Sequence, residues 1–201
     1  FHTDIVDDVP QIADKWDSLI SKGVIMINSA GNGYNIIGRY LNFDGTYYKK
    51  YPSYYSQWYS IGSIDHETRS YGSPASTKNS RSVFSSWYEN YETGNHIVNW
   101  LDPGNGIPAL KWGIDIWLNP IAIWKYHCGT SYSTPYLAGI IALVITRYHA
   151  GIGSPTDPSV QKVIEILQYA SSRSTFDQKM GYGYVDAYLA CGKAYTEGRL
   201  A

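Results

Sequence analysis

The sequence predicts an α/β fold, with a mostly parallel central sheet and helices on both faces. Three observations carry that expectation. Val24-Ile25-Met26-Ile27 is a continuous apolar run placed directly after an amphipathic helix. Such a run reads as a strand buried on both faces, the pattern of a parallel sheet covered by helices. Trp58–Ile64 and Ile97–Leu101 are further strand candidates, the second closed by the turn signal Asp102-Pro103-Gly104. Residues 132–150 form a long helix that is apolar nearly all round at its start, so it should be central to the fold.

The remaining elements follow in order. Residues 7–23 read as a helix: Asp7 or Asp8 caps it, Pro10 suits its first turn and Gly23 stops it, with Ile12, Trp16, Leu19 and Ile20 on one face. The carboxylates Asp4, Asp7 and Asp8 belong to that helix start rather than to a calcium site. Residues 34–50 are a Gly-, Asn- and Tyr-rich loop, 65–81 a polar excursion, and Val83–Ser86 a short extended piece. Residues 105–126 resist assignment and fit either a hairpin or a surface-packed insertion. Pro135 is expected in the first turn of the long helix, where its missing N–H is harmless, and Gly151 and Gly153 end that helix. An amphipathic helix over 157–170 turns Val160, Val163, Ile164 and Leu167 inward, and Gly181–Val185 leads into a last helix near 186–196.

A length of 201 residues and 44% hydrophobic content suit one domain with a substantial core. The net charge of −1, without a basic block, disfavours nucleic acid and anionic membranes as partners. The apolar stretch 137–145 is too short to span a bilayer. No leader is recognisable and the first residue is Phe1, so the chain is read as a processed product or a fragment. With 20 Tyr, 7 Trp and few lysines, the composition leans towards an extracellular or cell-surface protein. Cys128 and Cys191 fit one disulfide or two buried thiols equally well.

Two stretches bear chemistry. Gly129-Thr130-Ser131 enters the long helix and sets a hydroxyl at its N-terminus, where unpaired N–H groups and the helix dipole favour developing negative charge. Ser131 is there either an ordinary N-cap or a nucleophile. Asn28-Ser29-Ala30-Gly31-Asn32-Gly33 follows the carboxyl end of the first strand, where ligands of open α/β sheets bind. Asn32 is either a turn residue or a side-chain amide aimed at a reacting carbonyl oxygen.

The stretch GVIMINSAGNG at 23–33 resembles the strand and loop carrying the oxyanion asparagine of subtilisin-like serine proteases. YPSYYSQWYSIGSID at 51–65 resembles the segment that follows it, and GTSYSTPYLAG at 129–139 is similar to the family's nucleophile signature, with Ser133 where alanine is usual. Phe84-Ser85-Ser86, Asp102-Pro103-Gly104 and Gly181–Asp186 match in the same order. The resemblance implies Ser131 as nucleophile, with its own N–H and the Asn32 amide holding the oxyanion. It implies Ser29, Ala30 and Gly31 as one wall of the pocket for the substrate residue before the scissile bond. Lys50 and Tyr51 would lie at its floor and far side, and a lysine there would suit an acidic or long polar substrate residue.

The family's aspartate, in an Asp-Ser/Thr-Gly context, and its histidine, in a His-Gly-Thr-His context, have no counterpart among these residues. His2, His66, His96, His127 and His149 lack that neighbourhood, and His127 is too close to Ser131 in sequence to serve well as a triad base. The resemblance therefore implies the C-terminal part of one subtilisin-like domain over 1–201, incomplete in this chain. The N-terminal part of the same protease, as a separate chain or segment, would supply Asp and His, and a peptide or protein would be the substrate. The second reading is a catalytically inactive subtilisin-like scaffold or surface-assembly component, suited by the aromatic-rich stretches 34–59 and 107–126. An α/β-hydrolase esterase is excluded by the lack of a G-x-S-x-G elbow at Ser131. No cofactor is expected in this chain, and structural calcium, where the family uses it, would sit elsewhere in the domain.

Overall fold

The computed structural model describes residues 10–32, 39–41, 47–49, 57–68, 77–87 and 98–201. Lys50, Tyr51, His2, His96 and the cluster Asp4, Asp7 and Asp8 lie outside these residues.

Helix α1 spans Pro10–Ser21 and leads to β1, Ile27–Ser29. The first strand is shorter and later than the apolar run 24–27 suggests. Val24 is exposed and Ile25 and Met26 are half-buried, because parallel pairing with the neighbouring strand begins only at Ile27. Residues Arg39–Leu41 (β2) and Tyr47–Lys49 (β3) pair antiparallel within the stretch expected to be loop. Strand β4, Tyr59–Ile64, agrees with expectation, and β5, Val98–Pro103, runs on through the expected turn signal. The Val83–Ser86 segment is a turn after Arg81, which bridges Ile64, rather than an extended piece.

Strands β1, β4 and β5 form a parallel sheet in the order β1-β4-β5. Of the two readings of residues 105–126, the structure shows the hairpin: β6 (Asn105–Ile114) and β7 (Pro120–Cys128) pair antiparallel. Asp115 closes its turn by accepting from the N–H groups of Trp117 and Asn119.

Helix α2 spans Thr130–Ile152, α3 Val160–Tyr169 and α4 Ala187–Leu200. Ser159 caps α3 and Asp186 caps α4, each accepting from the N–H three residues on. The main core joins Ile61 and Trp100 of the sheet to Leu137, Ile141 and Val144 of α2, Val163, Ile166 and Leu167 of α3, and Ala190 and Ala194 of α4. A smaller cluster of Ala30, Ile64, Val98 and Leu101 fills the other face of the sheet.

Against expectation, α2 is not enclosed all round by the described residues. One side packs on the sheet and α4, while Ala138, Gly139, Ala142 and Leu143 are exposed. At 23 residues α2 is also long and apolar enough, by length and composition alone, to cross a membrane, which the nine-residue estimate from sequence missed. Of its apolar stretch 22% is buried, on the side facing the sheet and α4.

The Gly181–Val185 passage runs beside β5: Tyr182 N–H donates to the Asn99 carbonyl and Leu101 N–H to that of Gly183, at 2.9 and 2.8 Å. Gly181 is required for this approach, since a Cβ there would lie 2.3 Å from the Asn99 carbonyl oxygen. Trp100 is locked alongside, with its indole N–H donating to Ser171 at 2.9 Å.

Candidate active site

Helix α2 begins at Thr130, and its N-cap is Gly129 rather than Ser131. Ser131 is therefore the second helical residue, and the plain capping role is excluded for it. Its hydroxyl-bearing side chain is on an exposed residue. The N–H of Ser131 makes no hydrogen bond among the described residues, as befits an orphan donor of the first helical turn. Pro135 lies in the second turn, not the first. There its missing N–H would have bonded the Ser131 carbonyl four residues back.

The loop after β1 is tied to this turn by a closed set of bonds. Thr130 N–H donates to Asn32 Oδ1 at 2.7 Å, and the Thr130 hydroxyl donates to the same oxygen at 3.0 Å. The hydroxyl in turn accepts from Gly31 N–H at 3.1 Å. Because a backbone N–H can bond only to the amide oxygen, the orientation of Asn32 is determined, and its Nδ2 donors are left for another acceptor. Thr130 is fully buried, whereas Asn32 is exposed.

The rest of the loop is equally restrained. Ala30 N–H donates to the Ile61 carbonyl, and Ser86 N–H donates to the Gly31 carbonyl, both at 2.9 Å. The structure thus brings Ser29, Ala30, Gly31 and Asn32 to the Thr130–Ser131 turn, on the carboxyl side of the parallel sheet. Lys50 and Tyr51 lie outside the described residues.

Behind the turn, Gly129 N–H donates to the Gly104 carbonyl at 2.8 Å. A polar chain, buried except at Cys128, continues from there. The Cys128 thiol donates to Asn105 Oδ1 at 3.0 Å, and Asn105 Nδ2 and Ser82 Oγ donate to Asp65 Oδ1 at 2.8 and 2.6 Å. With its own hydrogen committed to Asp65, Ser82 accepts from the Ser63 hydroxyl at 2.7 Å. This chain explains the aspartate that ends β4: it joins the base of the β6–β7 hairpin to the sheet. Both cysteines are free thiols, with Cys128 exposed and Cys191 half-buried, so the structure shows neither the disulfide nor a pair of buried thiols.

Three groups stand outside these bonds. Among the described residues Ser133 Oγ is buried without a partner, and so are Asp102 Oδ2 and His127 Nε2. Burial pushes the Asp102 carboxyl well above the ordinary carboxylate range. The His127 ring lies against Tyr132, centroids 5.5 Å apart, and makes no hydrogen bond to Ser131. His149 pairs with Asp157 at 2.8 Å, at the far end of α2. Among the described residues no group of three or more His, Cys, Asp or Glu side chains comes together that could hold a metal ion.

Thr130 was not legible as a positioning residue from sequence, although it sits inside the Gly-Thr-Ser motif. Its role depends on contact with a loop 98 residues earlier. The Asp102 carboxyl gave a signal only as part of a turn.

A helix N-terminus presenting an exposed serine, against a strand-end loop with an oriented asparagine amide, is the arrangement of a subtilisin-like α/β protein. The Subtilase family (peptidase S8) matches residues 4–183, and the chain belongs to that family. Two solved structures share the fold. One is described as the prenylagaramide maturation protease PagA, at 19% identity and TM-score 0.63, with 98% of this chain and 59% of that chain covered. The other is described as a lanthipeptide protease, at 23% identity and TM-score 0.63, with 88% of this chain and 53% of that chain covered. The chain thus spans little more than half the length of these two proteins. No curated protein matches it.

Proposed function

We propose that this chain supplies the nucleophile and the oxyanion donors of a serine endopeptidase. Ser131 attacks the peptide carbonyl and forms the acyl-enzyme, while its own N–H and the Asn32 amide hold the oxyanion. Aspartate and histidine come from the N-terminal portion of the same protease, as a separate chain or segment. The bond from Thr130 N–H to Asn32 Oδ1 carries this reading, because it aims the Asn32 donors without any reorganisation at the moment of reaction.

Two features support an N-terminal partner. Strand β1 is an edge of the parallel sheet among the described residues, and such edges invite a further strand. The exposed small face of α2 (Ala138, Gly139, Ala142) would accept a closely packed helix. Ser29, Ala30 and Gly31 would line the pocket for the substrate residue before the scissile bond. Lys50 and Tyr51 would complete it and favour an acidic residue there. Composition supports an extracellular or cell-surface location, and α2 is read as a core helix rather than a membrane span.

A second reading, a catalytically inactive scaffold, is favoured by the β6–β7 hairpin. Leu110, Trp112, Ile114, Trp124 and Tyr126 are exposed, and the pairs Leu110–Trp124 and Pro108–Tyr126 put them on one face. A fluorophosphonate probe on the intact assembly separates the two. Labelling of Ser131, lost in Ser131→Ala, is expected for the protease, and a folded assembly that stays unlabelled would leave the scaffold.

A further inference from the structure

We propose that the cleft between the ends of β4 and β5 and the first turns of α2 binds a primary ammonium group on a short apolar stem, with Asp102 as its counter-charge. The cleft has a volume of about 340 Å³, at the small end of ligand pockets. Ile64, Pro103, Tyr136, Ile140 and Val185 form apolar walls, and Asp102 lines it with Asp65 and His66.

Asp102 is 2% exposed, and its Oδ2 has no hydrogen-bond partner among the described residues. A buried carboxyl oxygen left unpaired is destabilising, and a ligand able to pair with it removes that cost. The neighbouring carboxylate is already engaged: Asp65 accepts from Ser82, Asn105 and the N–H of Thr77. No Lys or Arg is among the residues described as lining the cleft, so the side chains there favour a cation over an anion. An ammonium on an alkyl stem satisfies both parts of the lining, since the stem packs on Ile140 and Pro103 while the head reaches Asp102. The group has two sources, a free small amine or a lysine side chain.

Calorimetric titration of the intact protein with pentylamine, using 1-pentanol as the neutral control, tests the site. Saturable pentylamine binding at least tenfold tighter than pentanol is expected, with at least a tenfold loss in Asp102→Asn. Nα-acetyl-lysine amide then reads the source: its binding points to a lysine side chain, and pentylamine binding alone points to free amines. Equal affinity for amine and alcohol, or undiminished amine binding in a folded Asp102→Asn, overturns the proposal. Should that variant not fold, Ile140→Phe, which narrows the cleft from α2, must weaken pentylamine binding at least tenfold. Unchanged affinity there overturns the proposal equally.

Discussion

Thr130 N–H lies 2.7 Å from Asn32 Oδ1, and this bond decides which end of the amide faces the serine turn. Replacing Asn32 by Leu removes the proposed side-chain oxyanion donor together with the acceptor of the Thr130 N–H and hydroxyl. In the intact assembly the turnover of a peptide substrate should fall by about 10²–10³-fold, with KM little changed. Thr130→Val keeps the backbone bond and loses the hydroxyl, so its effect should be the smaller of the two. Steady-state kinetics of both variants check this, and unchanged turnover in Asn32→Leu would remove Asn32 from the oxyanion site.

Ser133 occupies the position where the family signature has alanine, and its buried hydroxyl has no partner among the described residues. Ser133→Ala should therefore stabilise the protein, by about 1 kcal/mol given the usual cost of an unsatisfied buried hydroxyl. Denaturant unfolding would show a higher midpoint. A lower midpoint would mean that the hydroxyl is paired in solution.

Gly104 has no room for a side chain. A Cβ there would lie 2.2 Å from Ser133 Oγ, 2.6 Å from Ser63 Oγ and 2.8 Å from the Gly129 carbonyl. The serine hydroxyls could rotate away, but the carbonyl belongs to the turn that presents Ser131. Gly104→Ala should destabilise by about 1–3 kcal/mol, the usual range for overpacking, and should also lower activity. Gly104→Ala in the Ser133→Ala background should recover part of the stability, because one of the three clashes is gone.

The raised Asp102 carboxyl makes stability pH-dependent in a known direction. A carboxyl that is harder to ionise when folded contributes stability that is fully present below its unfolded value, near 3.8. That contribution is lost as pH rises through the higher folded value. Asp102→Asn removes the dependence. Thermal unfolding across pH should find this variant more stable than the parent near neutral pH, with the advantage vanishing at pH 3. An advantage that persists at pH 3 would contradict the assignment.

Strand β4 and the helices α3 and α4 were legible because each has one dominant environment. Ile61 and Ile64 sit on opposite faces of a sheet filled on both sides, and Val163, Ile164 and Leu167 repeat at helical spacing. The start of β1 was not, since an apolar run does not reveal where a neighbouring strand begins to pair. The hairpin β6–β7 was ambiguous for a different reason. Trp112, Ile114 and Trp124 carry the apolar character of a core while lying exposed, so hydrophobicity and burial point opposite ways. Of the two readings of Ser131, the N-cap one is removed because the helix starts one residue earlier, with Gly129 as its cap.

Taken by itself, the sequence determined the family and the α/β class. Those features are written in short motifs whose residue types are set by local backbone and chemistry. Only the tertiary structure decided that Thr130 orients Asn32, that Asp65 anchors the hairpin base, and that Asp102 is buried beside a cleft without a partner. These depend on groups distant in sequence meeting within hydrogen-bond range. Bonds such as Thr130 to Asn32 require the whole sheet to bring the ends of β1 and β7 together, and no local pattern encodes that distance.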